Sequence, residues 1–348
     1  MEACSAMHAL RKTSWFIRLL FLAVGMLSVV ALLASCGGRG SPAPTASSTS
    51  EGGKNPSTVR IGFQPPYIPV IAMKNQKLLE KTFGDSSPAI EYKEFLSLTP
   101  IAEAVSSGAL DLAIGGTPVT AIAAGAPIRI LALTERSPKT HAILVRPNSP
   151  IKSVADLKGK KIATPMGKAY FFPQKVLQSA HIKDSEVKWV QLENDVGRSA
   201  LLSGSVDAWV TWDPFYASAE LNKEAVPLVD GNHYFQNYVV LFGNADFVEA
   251  HPDIVTRFIQ AYQQALDWVQ SHHADAVQLF ASENKVSQEV AELTMSRRNY
   301  LLAPPDLKEY LNECTEQGKF FLEIGVTKQE PDWKTVIVPQ IAKSVLNH

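Results

Sequence analysis

Polar and aromatic side chains follow several short apolar runs, at points where a strand is expected to end and a helix to begin. Gln64 and Tyr67 follow the run 59–63, and Thr117 follows the run 110–114 and two glycines. An amide, a phenol and a hydroxyl are hydrogen-bond donors, and a helix N-terminus presents free backbone N–H groups. These residues therefore predict sites for an anion.

A second group of candidates lies in the middle of the sequence. Met166, Gly167, Lys168 and Ala169 follow another apolar run and open a helix, where Lys168 adds a cation or is a solvated loop lysine. Arg198 lies near a further helix start, where its guanidinium either binds an oxyanion through two N–H groups or faces solvent on the helix. Both interpretations stay open for each of the two cations.

The most informative segment is Gly204 to Phe215, which reads GSVDAWVTWDPF. A buried strand is expected to end at Trp212, with Asp213 as the helix N-cap and Pro214 at the first helical position. Trp212 is therefore predicted to contact ligand at the end of a strand, whereas Trp209 is predicted to pack in the core. Asp213 is a ligand-binding candidate, although a capping role suits it better.

The elements around these residues alternate between short apolar runs and helical patterns from Thr58 onward, which predicts an α/β protein with largely parallel sheets. Ligands of such sheets bind beyond the carboxyl ends of the strands. After about Asn244 only helices are predicted, so the chain is expected to return to its first lobe, with crossings near Arg146 and Tyr238. The predicted ranges are 58–145 with 239–348 for lobe 1, and 146–238 for lobe 2.

The first 57 residues are predicted to lie outside this folded unit. Residues 1–35 combine basic residues with a charge-free apolar run, as in a signal peptide. The run ends in LASCG, which resembles a bacterial lipobox, so Cys36 is predicted to be lipidated and to hold the protein on a membrane. An uncleaved membrane anchor is the alternative. Residues 36–57, poor in apolar side chains, predict a flexible tether.

Composition excludes several functional classes. Lys and Arg number 33 against 34 Asp and Glu, a formal charge of −1, so no broad positive field exists to attract nucleic acid. No CxxC or HExxH motif occurs, and the adjacent His272 and His273 point apart on a helix, so neither a metal nor another cofactor is predicted.

The sequence resembles the aliphatic sulfonate, nitrate and taurine group of ABC-importer substrate-binding proteins. The resemblance is carried mainly by SPIKSVADLKGKK at 149–161 and by GSVDAW at 204–209 with WDP at 212–214. It implies a type II periplasmic-binding-protein fold of two α/β lobes joined by two crossovers. It also implies a monomer outside the cytoplasm, which delivers a small anionic solute to the transmembrane permease subunits.

The site residues that the resemblance implies are Gln64, Thr117, Met166, Gly167, Lys168, Ala169, Arg198, Trp212 and Asp213. Sulfonate binders often have small hydroxyl residues where this chain has Gly167, Lys168 and Ala169. The expected ligand is an aliphatic sulfonate or taurine, with nitrate, bicarbonate or a thiamine pyrimidine precursor as alternatives.

Two other functional classes are weighed against a binding protein. An enzyme of the same bilobal fold should carry a paired nucleophile and base or a metal cluster, and the sequence shows neither. The sensory ligand-binding module of a regulator would need an attached DNA-binding or signalling segment. The predicted elements are not expected to leave residues for such a segment.

Overall fold

The computed structural model describes residues 56–166 and 170–346. The predictions made for Cys36, Gly167, Lys168 and Ala169 lie outside the described residues. Within these two ranges, no helix is long and apolar enough to cross a membrane. Two mixed sheets form two lobes, which confirms the predicted α/β class.

The strands of the described ranges are short and mostly match the predicted apolar runs. In chain order they are β1 (Thr58–Phe63), β2 (Ala89–Glu94), β3 (Leu112–Gly116), β4 (Ile128–Arg136), β5 (His141–Val145), β6 (Lys161–Thr164), β7 (Lys188–Gln191), β8 (Ala208–Trp212), β9 (Val226–Asp230), β10 (Tyr238–Asn244) and β11 (Tyr300–Ala303).

The helices cover the faces of the two sheets. In chain order they are α1 (Ile68–Asn75), α2 (Leu78–Phe83), α3 (Leu98–Ser106), α4 (Val119–Ala123), α5 (Phe171–Ser179), α6 (Asn194–Ser203), α7 (Phe215–Leu221), α8 (Ala245–Ala250), α9 (Pro252–Ser271), α10 (His273–Asn284), α11 (Gln288–Ser296), α12 (Lys308–Glu323), α13 (Trp333–Val336) and α14 (Gln340–Leu346).

The first sheet has the order β11-β4-β10-β3-β1-β2. β1 is parallel to β2 and β3, whereas β10 is antiparallel to both of its neighbours, β3 and β4. Every residue of β10 is buried, as its apolar sequence YVVLFGN predicts for a central strand. Gly243 is required there because a Cβ would lie 2.9 Å from the Asp111 carbonyl oxygen of the next strand.

The second sheet has the order β7-β6-β8-β5-β9. β6 is parallel to β7 and β8, and β5 is antiparallel to β8 and β9. The predicted range 58–145 assigns His141–Val145 to lobe 1, but this strand pairs only in the second sheet. The first crossing therefore lies at 137–140 rather than near Arg146.

Two predictions about the elements are wrong. The pattern 68–81 predicts one helix, but Lys77 adopts a left-handed φ of 52° and separates α1 from α2. The region after Asn244 is not purely helical, because Tyr300 and Ala303 pair with β4. A four-residue strand followed by two prolines gives too short a pattern to recognise in the sequence.

Long helix α9 illustrates how the first lobe is held together. Pro252 occupies its first position, and its buried residues recur at helical spacing, including Ile254, Phe258 and Tyr262. These side chains belong to a core cluster with strands β1, β3 and β10, so α9 covers one face of the first sheet.

The two crossovers are bonded to each other. Asn237, at the end of the segment 231–237, donates through Nδ2 to the Ser137 carbonyl oxygen at 2.9 Å, and the Ser137 N–H donates to the Asn237 carbonyl. The Asn299 N–H donates to Ser137 Oγ at 2.8 Å, which connects the strand β11 to the same point.

Candidate functional site

Gln64 and Thr117 lie at the carboxyl ends of the neighbouring parallel strands β1 and β3. Gln64 Nε2 donates to the Leu96 carbonyl oxygen at 3.3 Å, and Thr117 Oγ1 lies 3.1 Å from Tyr310 Oη. The strands approach closely here, since a Cβ built on Gly115 would lie 3.9 Å from Gln64 Oε1. The structure thus brings both predicted residues to one edge of the first lobe.

Tyr67 lies at the same edge, immediately before α1. Its ring packs against a guanidinium that the sequence analysis did not identify, with 5.8 Å between Arg298 Cζ and the ring centroid. Burial raises the pKa of Tyr67 well above its usual value, and the Glu135 carboxylate adds to that rise. The phenol therefore keeps its proton and remains a donor.

Arg298 is buried and paired with Glu135. Its Nη1 lies 2.8 Å from Glu135 Oε1 and 2.9 Å from Oε2, and both side chains are at most 4% exposed. Burial alone would lower the pKa of Arg298, but Glu135 raises it above its usual value, so the guanidinium stays charged. Its Nε is buried without a hydrogen-bond partner in the described part of the chain, which leaves one strong donor unused.

The second lobe contributes three aromatic rings. His141 and Trp212 are paired residues of the antiparallel strands β5 and β8, with ring centroids 6.0 Å apart. Tyr170, which precedes α5, lies 6.0 Å from His141 and 6.2 Å from Trp212. Trp212 is only partly buried, and its contact with ligand stays a prediction. Trp209 is fully buried, as predicted for a core residue.

Tyr170, in the second lobe, is a further buried phenol. Burial raises the pKa of Tyr170 well above its usual value, and the nearby Tyr67 phenol raises it further. Tyr170 is 5% exposed, and its Oη has no hydrogen-bond partner among the described residues. The second lobe therefore holds a second unused donor, whose ring lies beside those of His141 and Trp212.

His141 stays neutral within this group. Burial lowers the pKa of the imidazole to about 3, with a smaller contribution from the positive charge of Arg298. The ring is also in contact with Phe235, 5.2 Å away between centroids. At neutral pH the second lobe thus presents uncharged rings to the site.

Arg198 is placed differently from the prediction. Its Nε donates to Glu224 Oε2 at 2.7 Å, and a second guanidinium nitrogen lies 2.5 Å from the same oxygen. This ion pair lies within the second lobe, and the contacts of Arg198 there do not include Tyr170 or Trp212. Met166 lies two residues beyond β6 and is 43% exposed.

Asp213 is not the N-cap of α7, contrary to the prediction, because Pro214 occupies that position and the helix begins at Phe215. Its Oδ1 accepts from the Ala217 N–H at 2.9 Å and from Arg297 Nη1 at 3.1 Å. Burial raises the pKa of this carboxyl to about 7, and the Arg297 charge limits the rise. Asp213 thus fixes the start of α7 and joins the lobes, while its role in ligand binding stays a prediction.

The site residues predicted from the sequence do not include Arg298, His141 or Tyr170. Arg298 enters the site because β11 pairs with β4, a long-range contact in a region that reads as helical. His141 was placed in the wrong lobe. Tyr170 could have been identified from the sequence, because it directly follows the segment Met166–Ala169, which is predicted to start a helix.

The chemistry of the assembled site is that of hydrogen-bond donation. The described residues hold two protonated phenols, Tyr67 and Tyr170, and an unused guanidinium N–H of Arg298, whose charge Glu135 neutralises. Such donors suit the oxygens of a small anion, and the rings of Trp212 and His141 offer an apolar wall for the rest of the molecule.

The comparisons with known proteins agree with this chemistry. The model of the family described as NMT1/THI5 like matches residues 90–276. The chain is similar to the putative aliphatic sulfonates-binding protein of Bacillus subtilis (strain 168), with 32% identity over 273 residues that cover 77% of this chain and 79% of the relative.

Two solved structures have the same architecture. The periplasmic aliphatic sulphonate binding protein from Escherichia coli superposes with a TM-score of 0.76 at 27% identity, covering 82% of this chain and 92% of that one. The alkanesulfonate-binding protein from Xanthomonas axonopodis pv. citri, bound to MOPS, superposes with a TM-score of 0.70 at 26% identity and covers 83% and 99%.

Proposed function

The chain belongs to the NMT1/THI5-like family, and we propose from this premise that it is the substrate-binding protein of an ABC importer, which captures an aliphatic sulfonate or taurine between its lobes. The observation that carries the proposal is the buried guanidinium of Arg298, which packs on Tyr67, is paired with Glu135 and keeps an Nε–H group without a partner among the described residues.

A sulfonate suits these donors for a chemical reason. Its three oxygens accept hydrogen bonds and carry no proton at physiological pH, so each can face an N–H or O–H group. Because the Arg298 charge is balanced by Glu135, binding depends on local hydrogen bonds rather than on net charge. The organic part of the ligand packs against Trp212 and His141.

Binding a solute at a junction of two lobes provides a signal for transport. A ligand that contacts both lobes stabilises the closed arrangement by as much as it prefers that arrangement over the open one. The permease subunits then select the closed, loaded protein. The protein binds and delivers its solute without converting it, as do the relatives whose names describe binding proteins.

The position of the protein in the cell follows from its first 57 residues. We propose that Cys36 is lipidated and that the lipid anchors the protein to a membrane outside the cytoplasm. The folded unit acts as a monomer at that surface, within reach of the permease.

Ligand binding to the purified protein tests the proposal. Calorimetric titrations with ethanesulfonate, butanesulfonate, taurine, nitrate, bicarbonate and a hydroxymethylpyrimidine should show micromolar or tighter binding for at least one sulfonate. The inorganic anions should bind at least tenfold more weakly because they have no organic part to cover Trp212. Tight binding of nitrate or the pyrimidine with no response to any sulfonate would sink the proposal.

A further inference from the structure

The two crossovers converge on one nitrogen of His141. Its Nδ1 lies 3.2 Å from Asn237 Nδ2, in the second crossover, and 3.1 Å from Thr140 Oγ1, in the first. Asn237 holds its amide there from a backbone with φ of 50°, a left-handed conformation that asparagine tolerates better than most residues.

The orientation of the Asn237 amide follows from its other contacts. The same Nδ2 lies 2.9 Å from the Ser137 carbonyl oxygen, which can only accept, so this atom is the amide nitrogen. Its second hydrogen lies within reach of two acceptors, His141 Nδ1 at 3.2 Å and Thr140 Oγ1 at 3.1 Å. Thr140 Oγ1 donates its own hydrogen to the Ser137 carbonyl oxygen at 2.7 Å, so a proton on Nδ1 would have to share Thr140 Oγ1 with the Asn237 amide, whereas an Nδ1 that accepts from Asn237 leaves the proton on Nε2.

The Nε2–H group points away from the crossovers and has no partner among residues 56–166 and 170–346. The His141 side chain is partly buried, whereas Tyr170 is buried. The ring lies 6.0 Å from both Tyr170 and Trp212, so Nε2 belongs to the wall of the candidate site. The low pKa of the imidazole, about 3, keeps it neutral and leaves Nδ1 as an acceptor.

We infer that His141 donates a hydrogen bond from Nε2 to the head group of the bound anion, with Asn237 as the positioning residue that fixes the tautomer. The inference rests on the function proposed above and adds a specificity. An imidazole in this state can donate but cannot accept, so the head group must turn a proton-free oxygen toward His141, and a head group whose oxygens all lack protons does so in every orientation. A sulfonate meets that condition, whereas a phosphonate monoanion carries one P–OH group.

Variants of His141 test the inference through binding. We expect wild-type protein to bind ethanesulfonate at least tenfold more tightly than ethylphosphonate at pH 6, where the phosphonate is a monoanion. His141→Ala should weaken ethanesulfonate binding by about tenfold to hundredfold. His141→Gln, whose amide can both donate and accept, should bind ethanesulfonate better than His141→Ala and lose most of the preference over ethylphosphonate.

Two controls separate hydrogen bonding from packing. Phe235→Leu removes a ring that contacts His141 but no donor, so the preference for sulfonate should persist even if both affinities fall. His233→Ala removes an exposed histidine and should change neither the affinity for ethanesulfonate nor the affinity for ethylphosphonate. Asn237→Gly accommodates the positive φ without the amide and should weaken ethanesulfonate binding less than His141→Ala does.

Nitrogen NMR of the imidazole gives a readout that does not depend on binding. The expected spectrum of ligand-free protein shows His141 protonated at Nε2, and Asn237→Gly should give a mixture of tautomers. A proton on Nδ1, or unchanged ethanesulfonate affinity in His141→Ala, overturns the inference. If wild-type protein binds no sulfonate at all, the proposed function fails instead, and the tautomer is still tested by the spectrum.

Discussion

Arg297 stacks on Tyr216, with 3.7 Å between the guanidinium carbon and the ring centroid, and thereby joins α11 of the first lobe to α7 of the second. The same guanidinium pairs with Asp213 at 3.1 Å and with Glu220. Because Asp213 is buried, Arg297 compensates a carboxyl that water cannot reach. This cluster is distinct from the donor cluster around Arg298, although the two arginines are neighbours in the sequence.

Removing Arg297 should destabilise the protein. Arg297→Ala leaves Asp213 buried without its cation, so we expect a loss of about 3 kcal/mol in the free energy of unfolding, measured by urea denaturation at pH 8. A double-mutant cycle with Asp213→Asn should give a coupling of about 1 kcal/mol or more, which decreases at pH 5 because the raised pKa of Asp213 lets it take up a proton.

The matched control is Arg129→Ala, which breaks an ion pair with the exposed Glu249 and should cost less than about 1 kcal/mol. Additive effects of the Arg297 and Asp213 substitutions at pH 8 would contradict the role assigned to this pair.

Trp212 should report ligand binding. Trp212→Ala is expected to weaken sulfonate binding by more than about 1 kcal/mol, because it removes part of the apolar wall of the site. Trp212→Phe should abolish most of the ligand-induced change in tryptophan fluorescence, whereas Trp268→Phe, on a distant helix, should preserve it. Unaltered affinity in Trp212→Ala removes this residue from the site.

Two replacements of Arg298 should distinguish its contribution to ligand binding from its contribution to stability. Arg298→Lys keeps a cation opposite Glu135 but removes the free Nε–H, so sulfonate affinity should fall about tenfold with a modest loss of stability. Arg298→Ala leaves Glu135 buried and unpaired, and should cost about 3 to 5 kcal/mol in denaturation experiments. Equal sulfonate affinity in the wild-type and Arg298→Lys proteins is incompatible with a donor role for Nε.

Glu313 should make stability decrease with pH. The carboxylate accepts from the backbone N–H of Gln236 in the second crossover, and burial raises its pKa from 4.5 to about 7, opposed in part by that hydrogen bond. Between these values the native state holds a proton that the unfolded state has lost. The free energy of unfolding from this group therefore falls as pH rises, by at most about 1.4 kcal/mol per pH unit.

The free energy of unfolding, measured by urea denaturation from pH 4.5 to 7.5, checks this pH dependence. Glu313→Gln keeps an acceptor for Gln236 and should show a smaller decrease of stability with pH than the wild type. Asp213 titrates in the same direction in both proteins, so the difference between their curves isolates Glu313. Glu323→Gln, an exposed change at the end of the same helix, should follow the wild-type curve.

Cys36 should determine whether the protein stays with membranes. Cys36→Ser removes the thiol that would carry lipid, so the protein is expected in the soluble fraction after cell lysis. Cys4→Ser, within the predicted signal peptide, should leave the protein membrane-bound. Retention of the Cys36→Ser protein in membranes would instead favour an uncleaved helix.

The fold and part of the site could be predicted because they depend on local patterns. Trp212 ends a strand and precedes a helix start, and both features are encoded within a few residues. Arg298 could not be found this way, because its position depends on the pairing of β11 with β4 and on the distant Glu135. The environment of Arg198 could not be predicted either. Nothing in the sequence near Arg198 indicates that its guanidinium pairs with the Glu224 carboxylate.

The pairing of strands beside the crossovers has a mechanical consequence. Tyr238 of β10 is the partner of Arg136 on β4, and Asp230 of β9 is the partner of Ala142 on β5. The two connections therefore leave one sheet side by side and enter the other side by side. Two short parallel links permit bending about one axis but resist twisting, so the lobes should open like the covers of a book, and each opening should separate the same two faces.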